Sequence, residues 1–234
     1  MTNKKRVVNY VKQKSRLQSE YKIGSISVVI KDPININISQ VVTEIDNIMP
    51  AHFLELIDVI YVGEFLFLQD NFNARYMDGA IYVSNQQDDE QDLKDDIVHE
   101  IGHAIEDNFN FFIYGDEEIK NEYVGKLKRL KSILSFEGYN VDDYDFFNLE
   151  YDESFDDFLH KEVGYERLFN LTNGLFLAPY SITSIREYFA RAFEEFYLGD
   201  RIYLRNICPY INKKLLSLEE EVFLFLEKEM IDKN

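Results

Sequence analysis

The stretch "DDIVHEIGHAIED", Asp95–Asp107, decides how this chain is read. Apolar residues recur through and around it at Leu93, Ile97, Ile101, Ala104 and Ile105, a spacing that predicts a helix with one buried stripe. Two of the four histidines in the chain, His99 and His103, stand four residues apart on that helix. Residues i and i+4 lie one above the other, so both imidazoles can be aimed at one point about 2.0–2.1 Å from a metal ion. Glu100, beside the first histidine, can accept the proton of a water held at that metal and pass it to a leaving amine. Gly102 costs the helix about 1 kcal/mol relative to alanine, which is easier to understand if something must approach closely there.

Upstream of this helix the chain reads as a small sheet with helices. "SISVVIKD", closed by Pro33, is short and β-branched and predicts a strand. Ser39 to Met49, with Val41, Val42, Ile45 and Ile48, predicts an amphipathic helix, and Val59 to Phe65 a buried strand. "ARYMDGAIYVS" predicts one further strand, with Gly79 as a bulge or a point of close backbone approach. Downstream the expectation is mainly helical: Glu117 to Phe136, Ser181 to Tyr197 stopped by Gly199, and Leu218 to Met230, with surface loops and short helical pieces over Asn140 to Asp157. The fold class expected is therefore α+β, a small mixed or antiparallel sheet with an active-site helix followed by a helical lobe. The domain division expected is 1–22 as a basic arm, 23–108 as the sheet-bearing lobe and 109–234 as the helical lobe.

Bulk composition narrows the functions. The net charge is −18, yet residues 1–22 carry seven basic residues against Glu20, a local +6 that leaves −24 on the remainder. A body so acidic is unsuited to gripping a phosphate backbone, so no nucleic-acid partner is expected there. A single cysteine, Cys208, excludes an intrachain disulfide and a cysteine-rich zinc module, and suits a reducing compartment. No apolar h-region follows the basic start, and nothing approaches the roughly 20 apolar residues of a membrane span. The expected location is cytoplasmic, with secretion by another route left open, and the oligomeric state is not legible. The acidic run "DDEQDLKDD" fits no calcium loop and reads as a solvated face.

A catalytic zinc takes three protein ligands and leaves one position for water. His99 and His103 supply two. A metzincin extension would need Gly at 106 and His at 109, where this chain has Glu106 and Phe109, so that class is excluded. His52 and His160 are isolated histidines. The segment "APYSITSIREYFARAFEEFY", Ala178–Tyr197, offers Glu187 and, further along, Glu194 and Glu195. Glu187 also fits a capping box, Ser184-Ile185-Arg186-Glu187, in which the glutamate serves only the helix start.

At this point the residues resemble a family. His99-Glu100-Ile101-Gly102-His103 is the H-E-x-x-H arrangement of zincin metalloproteases. Glu187-Tyr188-Phe189-Ala190 with Phe193, preceded seven residues earlier by Tyr180, looks like the gluzincin catalytic domain of anthrax lethal factor and the related Pro-Pro endopeptidases. The resemblance spans roughly Ile26 to Pro209. It implies a zincin-like fold, Zn²⁺ as cofactor, Glu187 as third metal ligand and Tyr180 as the tyrosine that assists at the oxyanion or leaving group. It also implies that "ARYMDGAIYVS" is the edge strand that pairs with an extended substrate. One departure is Arg191, where such domains often carry an acid four positions after the ligand; the orienting role of that carboxylate is then absent or moved to Glu194, Glu106 or Asp107.

The function expected is a zinc-dependent endopeptidase acting on a protein or peptide. The competing expectation is a noncatalytic acidic interaction protein, built for a basic partner or mimicking nucleic-acid charge, with zinc at most structural. Substrate identity is not legible, because specificity resides in pocket shape and rim loops.

Overall fold

The computed structural model describes residues 20–68 and 72–232. The expected basic arm lies outside them up to residue 19; the last residues assigned to it, Glu20, Tyr21 and Lys22, belong to strand β1 (Glu20–Ile23). Contacts divide the chain into two compact units, Met1–Ala104 and Ile105–Asn234.

In the first unit the strands are β1, β2 (Ile26–Ile30), β3 (Val59–Gly63), β4 (Ala74–Met77) and β5 (Ala80–Ser84), in the order β1-β2-β3-β5-β4. The two inner pairings, β2 with β3 and β3 with β5, are parallel, and the two outer ones are antiparallel hairpins. The parallel step from β2 to β3 passes through α1 (Ile38–Ile48) and α2 (Ala51–Leu54), the crossover that parallel pairing requires. Register places Val28, Ile60 and Ile81 in one row and Ile30, Val62 and Val83 in the next, all buried. Their alternates Val29, Tyr61 and Tyr82 are only half-buried, the period-2 pattern of a sheet covered on one face. Ile38, Val41, Val42 and Ile45 of α1 are buried, as are Leu93, Ile97 and Ile101 of α3 (Glu90–Tyr114). The expected α+β class is thus observed.

"ARYMDGAIYVS" is two strands and not one. Asp78 (φ +48°) and Gly79 (φ +81°) form a two-residue hairpin turn with both φ positive, the type I′ signature of an Asp-Gly pair. The close approach expected at Gly79 is real: its carbonyl accepts the Asp58 N–H at 2.8 Å, and a Cβ there would stand 2.6 Å from the Asp58 carboxylate. In consequence β5 is enclosed between β3 and β4, and among the described residues β4, like β1 at the other end, is an edge of the sheet.

The second unit is helical. It holds α4 (Glu118–Phe136), α5 (Glu153–Asp157) continued by a π-helical turn over Phe158–Val163, α6 (Tyr165–Thr172), α7 (Ile185–Leu198), α8 (Arg201–Ile207) and α9 (Pro209–Asp232). The segment expected to be a helix from Ser181 is a 3₁₀ turn at Tyr180–Ile182 followed by α7, because Ser184 is fully extended (φ −159°, ψ 164°) and caps the new helix. Helix α9 begins at Pro209, earlier than its apolar pattern indicated; proline suits a first helical position, where its missing N–H would have no partner. Rings fill this core: Tyr123, Tyr188, Phe189, Phe193 and Phe196 are all 2% exposed or less. The acidic 140–157 segment, which ends in α5, is pinned by Phe146 and by Phe155 of that helix, both buried.

Candidate metal centre

The site begins with the regularity of α3. The helix runs unbroken from Glu90 until Phe109, whose non-helical backbone (φ −120°, ψ 23°) kinks it. His99 and His103 therefore sit one turn apart on a regular stretch, their ring centroids 4.9 Å from each other. His103 is 9% exposed and Glu100 7%. Glu100 does not dangle: its Oε2 accepts the backbone N–H of Tyr76 on β4 at 2.5 Å. One turn before His99, Asp96 accepts a 2.8 Å hydrogen bond from the Gln87 amide. Burial pushes the Asp96 carboxyl up to about 6; the Gln87 hydrogen bond opposes this, and the Glu100 charge adds to it.

Beyond His103 the same helix carries Glu106, fully buried, and Asp107. The Glu106 carboxylate accepts the Tyr114 hydroxyl at 2.7 Å and Arg186 Nε at 3.0 Å, while Asp107 accepts Arg186 Nη2 at 2.6 Å. Arg186 thereby ties the first turn of α7 to α3. The start of α7 is fixed a second time by Ser184, whose hydroxyl accepts the Glu187 N–H at 3.1 Å. Glu187 is thus the third helical residue of a capped and tethered helix. His99, His103 and Glu187 each offer a ligand atom within 4.8 Å of the others, a grouping of two imidazoles and one carboxylate.

Tyr180 is half-buried, and its phenol is pushed well above the usual tyrosine range by burial first and then by the Glu187 charge. Nearby, Asp156 accepts the hydroxyls of Tyr165 at 2.6 Å and Tyr151 at 3.0 Å, and its charge also acts on Tyr180. The other candidates have different occupations. Glu194 is buried and ion-paired with Arg191, which also reaches Glu195 at 3.6 Å. His52 packs its ring on Phe53, and the exposed His160 lies against Tyr165. Neither histidine joins the ligand grouping among the described residues.

Two participants were missed in the sequence. Asp96 was legible in principle, since it lies at i−3 from His99 on the same face. The Tyr76 N–H was not, because a backbone group carries no side-chain signal. The edge expected over "ARYMDGAIYVS" is confined to β4, Ala74–Met77, for β5 has strands on both sides. Among the described residues no helix is long and apolar enough to cross a membrane. Comparison with protein-family models, with curated proteins and with solved structures finds no match to this chain.

Proposed function

We propose that this chain is a zinc-dependent endopeptidase of the gluzincin type, with His99, His103 and Glu187 as metal ligands. The observation that carries the reading is the grouping of those three donors next to Glu100. The donor set suits zinc chemically: three protein ligands of nitrogen and oxygen type leave one of four positions open, which distinguishes a catalytic site from a closed structural one. When bound, zinc would supply a Lewis acid that polarises the scissile carbonyl and acidifies water.

The protein's own groups account for the proton movements. Glu100 takes a proton from the attacking water as the C–O bond forms, and delivers it to the amine nitrogen as the C–N bond breaks. Tyr180 donates its phenolic hydrogen to the oxyanion that develops on the carbonyl oxygen; burial and the Glu187 charge keep that phenol protonated and able to donate. The three carboxylates therefore divide the work. Glu187 binds, Glu100 moves protons, and Glu106 holds Arg186 and through it the helix that carries Glu187.

The test is Glu100→Gln. It should retain one zinc per chain by metal analysis and lose peptide hydrolysis by about 10²- to 10⁴-fold. A wild type that copurifies with no zinc and takes up none would sink the reading, as would a Glu100→Gln protein that cleaves like the wild type.

A further inference from the structure

The edge of the sheet carries a second piece of information. In the β4–β5 hairpin Met77 faces Ala80 across the two-residue turn, and Arg75 faces Tyr82. Those are the pairs that exchange backbone hydrogen bonds in this hairpin class. The alternate residues, Tyr76 between them and Ala74 beyond Arg75, consequently turn their N–H groups away from β5, and among the described residues β4 has no strand on its other side. The Tyr76 N–H meets the Glu100 carboxylate there. This alignment is firmly set, because the turn needs positive φ at Asp78 and Gly79, and Gly79 is clamped to Asp58 by its carbonyl with no room for a Cβ.

We infer that the Tyr76 N–H is a positioning group for Glu100, and that an extended substrate pairing with β4 takes its hydrogen bonds from Ala74 instead; this rests on the peptidase reading above. A glutamate side chain has three rotatable bonds, and a general base must stay within hydrogen-bond reach of the proton it takes. Anchoring Oε2 on a rigid backbone donor removes that freedom and leaves Oε1 for the water. An incoming strand that claimed the Tyr76 N–H would release the base. The productive alignment is the one centred on Ala74, whose N–H also faces outward. The edge therefore divides its labour between two residues two positions apart.

Two measurements on the full-length protein test this. The first is amide hydrogen exchange at Tyr76 in the wild type and in Glu100→Ala. The expected result is about tenfold faster exchange in the variant, with the Arg75 and Tyr82 amides unchanged; equal exchange at Tyr76 overturns the inference. The second compares Tyr76→Pro, which removes the N–H, with Tyr76→Ala, which keeps it, using unfolded casein as probe substrate. Proline is tolerated where an edge N–H faces outward. The kcat of Tyr76→Pro should fall about a hundredfold below that of Tyr76→Ala, with zinc content and KM alike in the two, whereas Ala74→Pro should act on KM. Equal kcat values in the two Tyr76 variants would overturn the inference. Exchange released as expected, with no cleavage of casein by the wild type, would count against the peptidase reading and so against a role in proton transfer, while leaving the contact itself in place.

Discussion

Helices α3 and α7 both deliver side chains to the ligand grouping, but by different means. On α3 the geometry is intrinsic: helix periodicity sets His99 and His103 one turn apart, on a stretch free of kinks until Phe109. On α7 it is acquired, since Glu187 is where it is because Ser184 caps the helix and Arg186 is gripped by Glu106 and Asp107, some 80 residues earlier in the chain. A spaced motif thus brings two donors together by helix geometry, while a third donor from elsewhere is held by its own cap and ion pairs.

The tether can be broken first. Arg186→Ala removes the guanidinium that is ion-paired with the fully buried Glu106. Loss of a buried charge partner costs about 3–5 kcal/mol, but Arg186 is 43% exposed and Tyr114 still donates to Glu106, so about 2 kcal/mol is expected. Zinc affinity should fall by about 10- to 100-fold, as for other outer partners of metal ligands. Denaturation and zinc titration of the variant check both. A variant as stable and as tight for zinc as the wild type would mean that α7 needs no tether.

A next-smaller effect sharpens the α3 side. Asp96 has a carboxyl raised to about 6 in the fold, against about 3.9 when unfolded. The native state therefore binds more protons between those values, and stability should fall as pH rises from about 4 to 6 and level off above. With a chelator present, the difference between wild type and Asp96→Asn should show this slope, and at pH 7 the asparagine form should be more stable by on the order of 2 kcal/mol. Parallel pH profiles would contradict it. The smallest effect returns to α7: Ser184→Ala removes the cap and should cost about 1 kcal/mol by denaturant midpoint.

How much of this was legible follows the same division. The stripe Leu93, Ile97, Ile101 and Ala104 announced α3, and each is 1% exposed or less. The β-branched composition of β2 and the apolar run of β3 were equally plain. The β4–β5 hairpin was not, because Tyr76, Ile81 and Val83 kept up a strand-like pattern on either side of the Asp-Gly turn and masked it. Strand β1 was hidden by the charges of Glu20 and Lys22. Neither the Arg186–Glu106 pair nor the Tyr76 N–H on Glu100 has any local signature, since each joins residues distant in sequence through contacts that only the fold creates.

The proposal stands or falls with Glu187 as the third zinc ligand beside His99 and His103. Zinc titration by calorimetry of the wild type and of Glu187→Ala tests it most directly. One zinc per wild-type chain is expected, with an affinity loss in the variant larger than the about 10- to 100-fold expected from an outer partner. Equal zinc affinity in the two proteins would contradict it.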